Sequence, residues 1–147
     1  MNQWTIRRAK PTDAVALAAS IDAAYSAHAR KGIDLPAVSD GIREDIENNT
    51  VWVAILGLHV VGGLVLIPRE DHAILANVAV EPSAVGSGLG RALIDRAETE
   101  ARKLGIRRLI LTTHADILKN VRMYEHLGWR ETARIGNKVH MEKSLPS

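Results

Sequence analysis

Cysteine is absent from all 147 residues, so disulfides, thiolate metal sites and a cysteine nucleophile are excluded. Phenylalanine is absent too, and only three tryptophans and two tyrosines occur. A core must therefore be assembled from Val, Ile, Leu and Ala. An excess of one charge is also missing: 19 Lys and Arg stand against 17 Asp and Glu, a net +2. The basic residues cluster no further than short pairs such as Arg7-Arg8, Arg102-Lys103 and Arg107-Arg108, with no interleaved aromatics. A nucleic-acid partner is not expected. No apolar run reaches the roughly 20 residues of a membrane span, and the opening MNQWTIRRAK lacks the apolar centre of a signal peptide. The expectation is a cytoplasmic protein with no membrane partner. Six histidines are present, but none pairs at a ligand-like spacing and no HExxH occurs, so no metal is expected. Repeats, low-complexity tracts and linkers are missing as well, and the length suits a single domain, 1–147, with one core.

What is there is patterned. Trp4 and Ile6 alternate with polar neighbours, predicting a strand over 3–9. Pro11-Thr12-Asp13 is a helix-start signal, and Val15, Leu17, Ala18, Ile21 and Tyr25 follow at roughly helical spacing over 14–30. A second, short helix is predicted over 40–48. The apolar runs 50–56 and 59–67 flank a turn at Gly57-Leu58, as in a hairpin. Gly62-Gly63 inside the second run marks a bulge or a close backbone approach. Another strand is expected over 72–80, a helix over 89–104 with one apolar stripe, a strand over 106–113, a helix over 117–127, and closing strands over 129–133 and 139–143. The order β, α, α, β, β, β, α, β, α, β, β is a mixed α/β or α+β domain rather than a regular alternation.

The stretch VEPSAVGSGLGR places Gly86, Gly88 and Gly90 directly before the best helix in the chain. Glycine there costs about 0.5–1 kcal/mol of backbone entropy per residue, a cost that makes sense where an anion approaches the amides at a helix N-terminus. A P-loop would need GxxxxGK[ST], which does not occur. A dinucleotide fingerprint would need a third glycine where Arg91 stands. A strand, then V-x-P, a short spacer and G-x-G-x-G before an amphipathic helix instead suits a pyrophosphate on the loop, with the rest of its ligand running back along the strand. An unusual helix start with no ligand is the alternative.

Taken with NVRMYEHLGWRET, residues 120–132, the loop makes the chain resemble the GNAT superfamily of acetyl-CoA-dependent N-acetyltransferases. The resemblance covers nearly the whole chain. The family's phosphate loop, Q/R-x-x-G-x-G/A, maps onto Val85, Gly86, Ser87, Gly88, Leu89 and Gly90, with Val85 departing from the usual Gln or Arg. The second pattern is met by Asn120, Tyr124, Gly128 and Trp129. The resemblance implies a mixed, mostly antiparallel sheet of about seven strands with four helices, splayed between the fourth and fifth strands. It places a pantetheine arm against Val78, Ala79 and Val80, and the pyrophosphate on residues 86–90 and Arg91. Its implied activity is transfer of an acetyl group from acetyl-CoA to a primary amine of a small molecule or peptide. Attack is direct, through a tetrahedral intermediate whose oxyanion meets fourth-strand amides. A non-catalytic acyl-CoA sensor with the same fold is the alternative, and many relatives pair as homodimers.

Asn120 and Tyr124, four apart, share a helix face. By the resemblance Asn120 binds the cofactor arm and Tyr124 protonates the departing thiolate; core packing is the alternative for Tyr124. A lysine-like acceptor amine of pKa about 10.4 costs roughly 4 kcal/mol to deprotonate at pH 7.4, so a base is useful. His114 is the candidate, with Asp116 and Asn77 nearby, and a strand-end or capping role is the alternative for each. The resemblance builds the acceptor pocket from Tyr25, His28, Arg30 and residues 31–36; a cationic lining there would favour a carboxylate or phosphate on the acceptor, a solvated helix face is the reading favoured for Arg30 and Lys31, and the acceptor stays open.

Overall fold

A computed structural model describes residues 4–29 and 41–146. Seven strands form one sheet: β1 (Trp4–Arg8), β2 (Thr50–Leu56), β3 (His59–Pro68), β4 (Ala73–Val80), β5 (Arg108–His114), β6 (Arg130–Ile135) and β7 (Lys138–Ser144). Four helices accompany them: α1 (Ala14–Ala29), α2 (Ile42–Asn48), α3 (Leu89–Lys103) and α4 (Leu118–His126). The spatial order is β1-β2-β3-β4-β5-β7-β6. Every neighbouring pair is antiparallel except β4 with β5. A parallel pair needs a crossover, and α3 supplies it. None of the described helices is long and apolar enough to cross a membrane.

The sheet has a core on each face. On one, Leu17 and Ile21 of α1 and Ile42 of α2 pack on Val51, Val53, Val65 and Ala79. On the other, Leu89, Leu93, Ile94 and Ala97 of α3 and Tyr124 of α4 pack on Leu64, Leu66, Leu75, Leu109, Val139 and Met141. The Gly62-Gly63 pair is where both layers press hardest on β3. A Cβ on Gly62 would lie 2.6 Å from the Ala79 carbonyl oxygen and 3.1 Å from Leu89 Cδ2, and one on Gly63 would lie 2.5 Å from Leu17 Cδ1. The register also slips beside them, so that Val61 is extra opposite Ala54 and Ile55. Bulge and close approach occur together.

Two of the boundaries that differ from the sequence expectation do so for local reasons, and one strand order does not follow the chain. Strand β5 begins at Arg108 rather than 106, because the Ile106 N–H donates to the Ala101 carbonyl (2.9 Å) and so belongs to the end of α3. Helix α2 begins at Ile42, with Gly41 as its left-handed N-cap. The last two strands turn at Gly136-Asn137 and change places in the sheet. β7 buries Val139 and Met141 and takes the inner position, while every residue of the charged β6 is exposed and suits the edge.

Asp13 ties β1 to the start of α1. Arg7 donates to both its carboxylate oxygens (2.7 and 3.0 Å), and the Lys10 N–H donates to one of them at 2.7 Å. The Arg7 bond holds the Asp13 carboxyl below the usual carboxylate range against the opposing effect of burial, and the Lys10 N–H adds to the lowering. A depressed folded value contributes stability that is present above the ordinary carboxylate pKa and lost as pH falls through the folded one. Asp13→Asn should therefore cost about 2 kcal/mol at neutral pH and flatten this part of the acid limb. Urea melts of both proteins from pH 7 down to pH 2 will measure it, and equal midpoints at pH 7 would remove the assignment.

Candidate active site

The site begins with a fault in β4. Strands β3 and β4 stay in register from Pro68↔Ala73 to Leu66↔Leu75, then resume at Val65↔Asn77, leaving Ala76 unmatched. A bulge of this kind reverses which face each later side chain takes. Ala73 and Leu75 point into the α3 and α4 core; past the bulge, Val78 and Val80 pack there instead, and Ala79 joins the α1 core. The pairing of β4 with β5 stops at the same place: it covers only Ala73↔Leu109, Ile74↔Ile110 and Leu75↔Leu111. Beyond it the two strands diverge, and the β4 edge over residues 76–80 offers backbone N–H and C=O groups with no strand partner on that side.

A cleft of about 470 Å³ fills the divergence, within the range of small-molecule sites. It is lined from both faces. Val78, Ile117, Asn120 and Tyr124 line it on the α4 side, and Tyr25, Thr112, His114 and Lys138 on the α1 side, with Asn77 where β4 resumes. Asn120 and Tyr124 share a face of α4, as the four-residue spacing requires. Tyr124 is buried and meets Trp129 edge-on, with centroids 5.8 Å apart. Burial pushes the Tyr124 phenol far above its ordinary value, and the nearby Tyr25 phenol pushes it further. Burial likewise raises Tyr25. Both phenols hold their protons throughout the neutral range.

His114 has a specific state. Its Nδ1 accepts the Asp116 backbone N–H at 3.1 Å, so the neutral ring carries its proton on Nε2. That Nε2 is buried with no partner, a situation that costs about 1–3 kcal/mol when nothing satisfies it. The Asp116 carboxylate stands 3.9 Å from Nδ1, on the other edge of the ring, and is 71% exposed. In this arrangement His114 offers the cleft a donor, and a lone pair for accepting a proton only if the Asp116 bond opens.

The glycine loop lies at the α3 N-terminus. Pro82–Ala84 forms one 3₁₀ turn, and Gly86 and Gly88 take φ of 87° and 83°, values that disfavour any side chain. Gly88 is the N-cap, without a side-chain cap. The first helical bond runs from the Ala92 N–H to the Gly88 carbonyl (3.1 Å). The four preceding amides, Gly88, Leu89, Gly90 and Arg91, are thus the orphan donors of the helix, at the positive end of its dipole. A Cβ on Gly90 would sit 3.7 Å from Val80 and 3.9 Å from Met123, so the loop, β4 and α4 converge here. Other loop residues have structural duties. The Leu89 side chain is in the core. The Ser87 hydroxyl donates to the Ala84 carbonyl (2.6 Å) and accepts from Trp4 Nε1 (3.1 Å), and the Ser87 N–H also goes to Ala84. Val85 is 52% exposed. An uncapped, glycine-lined helix start beside an unpaired strand edge fits an extended ligand with amides along one part and a pyrophosphate at its end, as coenzyme A has.

Of the residues expected in the site, Asn77, Val78, His114, Asn120 and Tyr124 line one cleft, and Gly90 is the loop glycine that approaches β4 and α4. Ala79 turns its side chain into the α1 core and does not line the cleft. Arg30, residues 31–36 and the His28 side chain lie outside the described residues. Lys138 and Asn137 were not anticipated. Their turn is visible as Gly136-Asn137, but the register that sets Lys138 opposite His114 has no local signal.

The family model described as Acetyltransferase (GNAT) family matches residues 19–129. Among curated proteins, [ribosomal protein bS18]-alanine N-acetyltransferase of Escherichia coli strain K12 is 39% identical over 61 residues, covering 42% of this chain and 41% of that protein. The chain thus aligns with less than half the length of that relative. Among solved structures, PaiA N-acetyltransferase from Thermoplasma acidophilum in complex with coenzyme A superposes with a TM-score of 0.85 at 20% identity, covering 98% of this chain and 99% of that one. The ribosomal-protein-S18-alanine N-acetyltransferase from Escherichia coli gives 0.81 at 21% identity, covering 98% and 95%. The two superpositions establish a shared fold.

Proposed function

Because the chain belongs to the GNAT acetyltransferase family, we propose that it is an N-acetyltransferase, moving an acetyl group from acetyl-CoA to a primary amine of a small molecule or peptide. The observation that carries this is the cleft itself: strands β4 and β5 part at the Ala76 bulge, and the buried Tyr124 phenol lines the gap. Relatives named for an alanine acceptor support an α-amine as the group acetylated.

Acetyl-CoA supplies the activated thioester; the chain binds, orients and moves protons. The free β4 edge over 76–80 pairs with the amides of the pantetheine arm, Asn120 adds a side-chain bond, and the amides from Gly88 to Arg91 take the pyrophosphate. Exposed Arg91, without an ion-pair partner among the described residues, adds a cation. Amides on the parted edge are placed to meet charge developing on the acyl oxygen. Tyr124 holds a proton for the leaving sulfur. The acceptor approaches from the opposite face, past Tyr25 and His114, and its proton leaves to water on that open side. A cytoplasmic setting, where acetyl-CoA is available, belongs to this proposal.

Calorimetric titration with acetyl-CoA, followed by a thiol-release assay over a panel of amines, tests it. Saturable binding and amine-dependent CoA release are expected. Binding without release for any amine would return the sensor alternative, and no binding would remove the acetyl-CoA assignment.

A further inference from the structure

Resting on that acetyltransferase reading, we infer that the acceptor is an amine that also bears a carboxylate, and that Lys138 is the residue that selects it. Three observations converge. First, Lys138 is directly opposite His114 in the β5–β7 register, so the two side chains share a face of the sheet. Alternation places that face on the α1 side, because Leu109, Leu111, Val139 and Met141 fill the other. Second, both residues line the cleft: His114 Nε2 is a buried N–H with no partner, and Lys138 is exposed, its ammonium carrying no protein partner among the described residues. Third, no Asp or Glu lines the cleft among the described residues. The nearest carboxylate, on Asp116, lies on the far edge of the imidazole, largely in solvent, and Glu142 on the same sheet face is held by Arg130 (3.1 Å) and Arg108 (3.8 Å).

A cation and an adjacent donor, with no acid between them, make a poor berth for a polyamine and a good one for a carboxylate. The arrangement also bears on the nucleophile. An ammonium ion brought near Lys138 is destabilised by the like charge, which favours the neutral amine that must attack. The acceptor's carboxylate anchors it on Lys138 while its amine reaches the gap between β4 and β5. Two acceptors present this chemistry: a free amino acid, and a peptide whose first side chain is acidic.

Thiol release from acetyl-CoA is measured for two matched pairs. One is L-alanine against L-alaninamide; the other is an aspartyl-peptide amide against its asparaginyl counterpart. The pair that shows the preference identifies the source. In at least one pair the acid is expected to have a kcat/KM at least about tenfold above its amide, carried by KM, a discrimination of ordinary size for one charged contact. A carboxylate keeps its neighbouring amine more protonated, so amine basicity cannot produce that preference. Lys138→Gln should collapse the ratio towards one, and Lys138→Arg should restore most of it. Equal rates within both pairs, or a ratio unaltered in Lys138→Gln, overturns the inference. Binding of N-acetylalanine and N-acetylalaninamide to the CoA-loaded protein, by calorimetry, reads the same preference without turnover. Lys138-dependent binding of the acid in a protein that acetylates nothing would sink the enzymatic reading and keep the carboxylate site. Acetylation of other amines with neither acid bound would do the reverse.

Discussion

Tyr124→Phe is expected to lower kcat by about 10²–10⁴-fold, the usual range for loss of a positioned acid, while the Kd for acetyl-CoA stays within about twofold. The substitution removes one oxygen from a side chain whose ring is already a packing element, edge-on to Trp129. The cleft shape and the α4 position are therefore retained, and what is lost is a proton. Burial keeps the proton in place: the phenol is raised far above its ordinary value, first by desolvation and then by Tyr25. The sign has a consequence for the pH profile. An exposed tyrosine would begin to lose its proton near pH 10; Tyr124 keeps its own beyond that, so no alkaline loss of kcat at ordinary phenol pKa should trace to it. Steady-state kinetics from pH 6 to 10 with calorimetry on both proteins decide the matter. A kcat within threefold of the parent would leave Tyr124 as core packing only.

The second large effect concerns stability. Glu98 in α3 is almost wholly buried, its side chain 7% exposed. Lys143 from β7 donates to both its carboxylate oxygens at 3.1 Å and to the Leu127 carbonyl at 2.7 Å, and Arg102 stands 3.7 Å away. One ammonium thus ties α3 to β7 and to the end of the helix that carries Tyr124. Lys143→Met strands the carboxylate and the carbonyl together. Breaking a buried pair costs about 3–5 kcal/mol, and the remaining Arg102 sets the expectation near 3, which lowers Tm by roughly 6–12 °C for a chain of this size. Replacing both partners, with Glu98→Met added, should recover at least half the loss, because apolar groups of similar volume commonly replace a buried pair at little cost. Thermal melts of the two single variants and the double variant form the cycle. If the double variant is less stable than Lys143→Met alone, the stranded charge is not the cause.

Features that depend on a few adjacent residues were legible without coordinates. The glycine run before α3 announced a backbone-lined helix start, since left-handed φ at Gly86 and Gly88 and the lack of a side-chain cap are local properties. Asn120 and Tyr124 had to share a face because a helix repeats every 3.6 residues. The strand and helix order also followed from periodicity, while several boundaries shifted, as where Ile106 is drawn into the end of α3. The run AILANVAV, by contrast, reads as one uninterrupted apolar strand. Nothing in it says that Ala76 is the unmatched residue, because the mismatch is set by pairing with β3.

Length, the absence of cysteine, the element order, the glycine loop before α3 and the phenol four residues from an asparagine were thus determined by the amino-acid sequence. Tertiary structure alone decided that β4 and β5 part at Ala76, that β7 rather than β6 lies beside β5, and that Lys138 faces His114 across that pairing. Backbone freedom and helical period act over a handful of residues, where composition controls them. Register between strands 24 residues apart is chosen by which faces can be buried throughout the sheet, and only the folded chain makes that choice.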